Sequence, residues 1–152
     1  MIILLDLNYT LVSNSLTKKS PFTKQIEGEV YRDWLIELVK LYYTILITAR
    51  PQKYQEQTLA SIASKTGWQP QDNYFNAYNL RPPQAKEKAL RDSIFPRYGR
   101  DTLYLGIESN PRTRTMYAKH GIQSIFVEAN TQWTTLPQLD TNQMANGSLT
   151  TL

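Results

Sequence analysis

The sequence predicts an α/β sandwich, in which a central, mostly parallel five-stranded sheet carries helices on its faces. Short apolar runs of strand length alternate with amphipathic stretches of helical period along most of the 152 residues. Proline and glycine punctuate the helical stretches where helices start and stop. Hydrophobic residues make up 41% of the chain and charged residues 20%, which suits a single domain with a real core.

Ile2 to Asp6 reads as the first strand, and a polar, basic connection fills residues 12 to 25. Ile26, Val30, Leu35, Leu38 and Val39 recur at roughly helical spacing and predict one helix over 26–41. Tyr43 to Thr48, rich in β-branched residues, is the second strand. Pro51 then opens a helix that runs to about Lys65 and stops at Gly67. Tyr74 to Tyr78 is a short third strand, and Pro82-Pro83 precedes a charged helix from about Gln84 to Arg97. Thr102 to Ile107 is the fourth strand, Pro111 begins a helix that ends at Gly121, and Ser124 to Val127 is the fifth strand. Residues 1–135 are expected to form the domain and 136–152 a polar, aperiodic tail. Trp34 and Trp68 read as packing residues, and His120 as a last-turn residue favourable to its helix dipole.

The absence of cysteine excludes disulfides, thiolate metal sites and cysteine nucleophiles. No apolar run has the length of a membrane span, and the five-residue apolar start runs directly into Asp6, so a cytoplasmic protein without membrane partners is expected. The net charge of +4 favours an anionic partner.

Four chemistry-bearing residues fall at or beside strand ends: Asp6 ends the first strand, Thr48 ends the second, Lys86 opens the helix after the third, and Glu108 ends the fourth. In a parallel sheet those ends share one edge, where such sheets bind ligands. A carboxylate nucleophile, a hydroxyl, a cation and a second acid are the parts needed to capture a phosphoryl group around Mg²⁺.

This order resembles the haloacid dehalogenase (HAD) superfamily of phosphohydrolases. The first motif is similar to Asp6-Leu7-Asn8-Tyr9-Thr10-Leu11, the second to Ile45-Leu46-Ile47-Thr48-Ala49-Arg50, and the fourth to Leu105-Gly106-Ile107-Glu108-Ser109-Asn110-Pro111. Lys86 stands for the lysine motif, with Lys88 as the alternative. Within the superfamily the chain resembles the 3′-phosphatase domain of phage-type polynucleotide kinases over about residues 1 to 128. The resemblance implies a Rossmann-like three-layer fold and transfer of a phosphoryl group to Asp6 as an aspartyl-phosphate. It also implies that Asp6, Glu108 and the backbone carbonyl of Asn8 hold Mg²⁺, that Thr48 donates to a phosphoryl oxygen, and that Lys86 offsets negative charge. Thr10, Ala49, Arg50 and Lys88 are the expected substrate-binding positions.

Two motifs depart from the family pattern. Asn8 stands where an aspartate acts as general acid and base, and it cannot exchange a proton at any useful pH. Glu108 and Ser109 replace the paired aspartates of the fourth motif. About fourteen residues separate Leu11 from the first expected helix, too few for a cap domain, so an open site is expected. Such a site suits a phosphorylated small molecule or a nucleic-acid end, and Lys18, Lys19, Lys24, Arg50, Arg81, Arg112 and Arg114 would attract polyanions. Two functions follow: a phosphohydrolase with weakened acid-base chemistry, or a catalytically inactive relative that binds a phosphorylated ligand or partner.

Overall fold

In a computed structural model, which describes residues 1–137, five parallel strands form one sheet in the order β3-β2-β1-β4-β5. The strands are β1 (Ile2–Leu5), β2 (Tyr43–Pro51), β3 (Asp72–Asn76), β4 (Tyr104–Ile107) and β5 (Gln123–Ile125). The helices are α1 (Phe22–Glu27), α2 (Asp33–Val39), α3 (Gln55–Thr66), α4 (Pro82–Ala89), α5 (Phe95–Tyr98) and α6 (Pro111–Lys119). Most of the segment read as a tail, residues 138–152, lies outside the described residues.

Strand side chains alternate between the two faces, so each strand feeds two cores. Ile3, Leu5, Leu46, Leu105 and Ile107 pack with Leu35, Ile36, Val39 and Ile62 from α2 and α3. Leu4, Ile45 and Ile47 pack with Leu90, Ile94, Phe95, Met116 and Tyr117 on the opposite face. The result is the expected three-layer, Rossmann-like arrangement, with every strand pair parallel. At Gly106 the layers close tightly: a Cβ built there would lie 3.1 Å from the Tyr117 ring and 3.2 Å from Ser124 Cβ. Trp133 and Leu136 pack against the core, and Trp133 meets Trp34 edge-on at 5.3 Å between ring centroids.

The expected helix over 26–41 is instead two short helices. Gly28 ends α1, and Val30-Tyr31 runs extended, with Tyr31 bridging antiparallel to Val12. Ser13 N donates to Val30 O at 2.8 Å and Arg32 N to Leu11 O at 2.8 Å, so pairing with the segment after β1 wins over helical continuation. Val30, counted on the apolar face, is exposed.

Pro51 ends β2 with extended backbone and is not the first helical residue; a single turn, Gln52–Tyr54, leads into α3. The third strand lies two residues earlier than expected, because Asn76 ends it. The Asn76 side chain accepts from Leu80 N at 3.2 Å and donates to Leu80 O at 2.7 Å, folding the chain into a turn. The helix expected over 84–97 starts at Pro82 and takes a wide π turn at Leu90–Ile94 before α5. Pro96 lacks an N–H and would clash with the carbonyl four residues back in regular helix, which the wide turn relieves. Among the described residues no helix is long and apolar enough to cross a membrane.

Candidate active site

Strand register assembles the site. Leu5 pairs with Leu46 on one side and with Ile107 on the other, so Asp6 and Glu108 leave adjacent strand ends together. Asp6 N donates to Ile107 O and Glu108 N to Ile125 O, each at 3.0 Å, fixing both residues at the edge. Because β1 is central and the chain departs to opposite sides from it, this edge is also the topological switch point of the sheet. Thr48 lies two residues past the Leu5–Leu46 pair and reaches the same edge.

The turn Leu7–Leu11 follows β1 and contains one strained residue. Tyr9 has φ 61° and ψ −2°, a left-handed conformation that costs a residue with a Cβ on the order of 1–2 kcal/mol. Its N–H donates to Ser15 Oγ at 2.7 Å, which helps to hold the turn. Strain of this kind is concentrated where a chain must present particular groups.

Lys86 reaches across from α4 into the gap between the two acids. Its Nζ donates to Asp6 Oδ1 at 2.7 Å and to Glu108 Oε2 at 2.6 Å, and all three side chains are buried. Asp6 Oδ2 accepts from Thr10 Oγ1 at 2.7 Å and from Ser109 Oγ at 3.0 Å. Glu108 Oε1 accepts from Asn110 N at 3.1 Å. Burial would lower the Lys86 ammonium, but the two carboxylates outweigh it and hold its pKa above the usual lysine range. Burial pushes the Glu108 carboxyl up to about 7, with the charge on Lys86 opposing the rise and that on Asp6 adding to it.

A cavity of about 160 Å³ opens over this cluster. Asp6, Asn8, Thr48, Ala49, Lys86 and Glu108 all line it, together with Ser109 and Asn110. Thr48 Oγ1 accepts from Arg50 N at 3.1 Å, which leaves its hydroxyl hydrogen available to a ligand. Asn8 Oδ1 accepts from Arg50 Nη2 at 2.8 Å, so its amide NH₂ is the end available to the cavity.

Two expected substrate contacts are turned away. Arg50 is buried and does not line the cavity; its guanidinium takes both oxygens of Glu29, at 3.0 and 2.5 Å, and Thr58 Oγ1 at 3.0 Å. The Phe22 ring stacks on it, 5.0 Å from the guanidinium carbon. Lys88 lies on another face of α4, pairs with Asp92 at 2.8 Å, and lines a separate cavity with Tyr78. Thr10 contributes through Asp6.

Glu29 was not legible as part of this region. It is a charged residue in the first turn of an expected helix, and only the fold brings it to an arginine 21 positions away. Ser109 was legible as a departure, but not its contact: its hydroxyl lies 3.0 Å from Asp6 Oδ2 and 3.3 Å from the Asn8 carbonyl oxygen.

Those two oxygens flank the Ser109 hydroxyl and are of the donor type that Mg²⁺ takes. Both are hard donors, two carboxylates face a single ammonium, and Mg²⁺ ordinarily takes one or two carboxylates while keeping waters and substrate oxygens. No cluster of three or more His, Cys, Asp or Glu side chains able to hold a metal occurs among the described residues. No protein-family model matches the chain, and no curated protein matches it.

Proposed function

We propose that the protein is a HAD-like, Mg²⁺-dependent phosphohydrolase that acts on a phosphate monoester through an aspartyl-phosphate on Asp6. One observation carries the reading: Lys86 bridges Asp6 and Glu108, residues 80 and 22 positions away, under a cavity that Thr48 and Asn8 also line. A buried cation beside a carboxylate at a switch-point edge suits capture of a dianionic phosphoryl group.

In this reading a carboxylate oxygen of Asp6 attacks phosphorus and the bond from phosphorus to the leaving oxygen breaks. Thr10 and Ser109 hold the carboxylate in orientation through Oδ2. Thr48 and the Asn8 amide donate to the phosphoryl oxygens, and Lys86 offsets their charge. Asp6, Glu108 and the Asn8 carbonyl would hold Mg²⁺, which supplies further neutralisation of the transferring group. Asn8 gives no proton, so the leaving oxygen takes one from water, and a second water then releases inorganic phosphate from Asp6. Loss of a positioned acid-base typically costs ~10²- to 10⁴-fold in rate, so turnover is slow and favours leaving groups that need no proton.

A second reading, a protein that binds a phosphorylated ligand without turnover, is favoured by the Arg50–Asn8 contact. That contact commits Asn8 to hydrogen-bond donation and builds an anion site from the same residues. Release of phosphate from an aryl phosphate, with and without Mg²⁺, separates the two. Mg²⁺-dependent release abolished by Asp6→Asn is expected; binding of inorganic phosphate with no release by the wild type or by Asn8→Asp would favour the second reading.

A further inference from the structure

Beside the catalytic cavity lies a second, larger recess. A groove of about 410 Å³ lies between the start of α4 and the exposed side of α6, and it shares Pro82 and Asn110 with the catalytic cavity. Its charged lining is entirely basic: Arg81, Arg112 and Lys119, with no carboxylate. Arg112 and Lys119, seven residues apart, fall on one side of α6 with Thr115 between them, and Arg81 stands at the N-terminal end of α4.

All three cations are exposed, and none of them takes part in the ion pairs formed among the described residues. Their neighbours behave differently: Lys88 pairs with Asp92, and His120 lies 2.9 Å from Glu87. Three like charges around one recess repel one another. That cost is offset when an anion occupies the recess.

From this arrangement we infer that the groove is a second anion subsite, and that the substrate carries a further phosphate beyond the one seated over Asp6. The inference rests on the phosphatase reading and extends it. The shared chemistry is a second phosphate joined to the first through a linker that passes Pro82 and Asn110. A small bisphosphate and a phosphodiester chain with a terminal phosphate both offer it. A monophosphate uses only the catalytic cavity, where its contacts come from Thr48, Asn8 and Lys86.

The test compares the wild type with the triple variant Arg81→Ala, Arg112→Ala, Lys119→Ala, whose exposed positions leave both cores intact. Three substrates are followed by phosphate release: an aryl phosphate, a nucleoside 3′,5′-bisphosphate, and a single-stranded pentanucleotide bearing a 3′-phosphate. Binding of the last two is also measured directly by titration. The expected result is unchanged kcat/KM for the aryl phosphate, with a loss of at least ~10-fold for the ligands that carry a second phosphate. For the pentanucleotide, the slope of log affinity against log salt should flatten by roughly 2 if all three contacts are lost. A loss with both ligands identifies the second phosphate itself as the recognised group; a loss with the pentanucleotide alone identifies a phosphodiester chain. Equal binding and turnover of both ligands by the variant and the wild type would overturn the subsite. Absence of aryl phosphate release in the wild type would instead overturn the phosphatase reading, and the binding titrations would still decide the subsite.

Discussion

Glu29→Ala should be among the most destabilising single substitutions in the protein. Glu29 and Arg50 are nearly inaccessible to water, with side-chain exposures of 2% and 0%, and their two contacts measure 3.0 and 2.5 Å. Removing the carboxylate strands a buried guanidinium that keeps only Thr58, Asn8 and the Phe22 ring. Breaking a buried pair in this way costs about 3–5 kcal/mol, set against a total stability of roughly 5–15 kcal/mol for a domain of ordinary stability. Urea unfolding at pH 7, followed by far-UV circular dichroism, reads the loss as a lower midpoint at unchanged slope. The double variant Glu29→Leu, Arg50→Met removes both charges and should recover most of the stability lost by Glu29→Leu alone, because no ion is left unpaired. It should not recover function, since Asn8 loses the donor that orients its amide. A Glu29→Ala cost below about 1 kcal/mol, or a double variant whose cost equals the sum of the singles, would refute the argument that the pair is desolvated and mutually dependent.

Three other perturbations probe separate parts of the molecule. Gly106→Ala drives a methyl toward the Tyr117 ring at 3.1 Å and should cost about 1–3 kcal/mol in the same unfolding assay. Asn8→Asp restores a proton-exchanging group and should raise phosphate release by ~10²-fold, the low end of the range for general acid-base catalysis, because Arg50 beside it favours the ionised form that donates poorly. Burial pushes the Tyr31 hydroxyl up to about 12, with its hydrogen bond to Ser61 opposing the shift. A folded pKa above the unfolded value gives stability that is complete below about pH 10 and lost as pH rises toward 12. Tyr31→Phe should therefore flatten part of the alkaline loss in a pH series of melting temperatures.

The central strands were legible because they are buried on both faces and so read as short apolar runs; Ile2 to Leu5 and Tyr104 to Ile107 need little else. Helix ends were legible where local chemistry sets them. Asn110 accepts from Arg112 N at 2.9 Å as a cap, and Gly67 and Gly121 both adopt φ +71° after their helices. The break between α1 and α2 was hidden because Ile26, Leu35 and Val39 are all fully buried although they come from two helices, which mimics the period of one. What decides the break is the distant pairing of Tyr31 with Val12, and local periodicity carries no trace of it. The cavity lined by Asp6, Thr48, Lys86 and Glu108 was legible because three of them stand at strand ends of a parallel sheet and Lys86 lies in the helix that follows the third strand. The orientation of Arg50 was not, since its partner Glu29 sits in that same misread segment and a lone glutamate there gives no sign of burial.

The central claim is that Asp6 accepts a phosphoryl group, and the direct measurement is to look for that group on the protein. Wild-type protein incubated with Mg²⁺ and a ³²P-labelled aryl phosphate would be quenched in acid and digested, and the label mapped. A hydroxylamine-sensitive label on the peptide containing Asp6 is expected. It should accumulate because Asn8 cannot activate the hydrolytic water, turn over faster in Asn8→Asp, and be absent from Asp6→Asn. Phosphate release without any label on Asp6, or an equal label in Asp6→Asn, would contradict it.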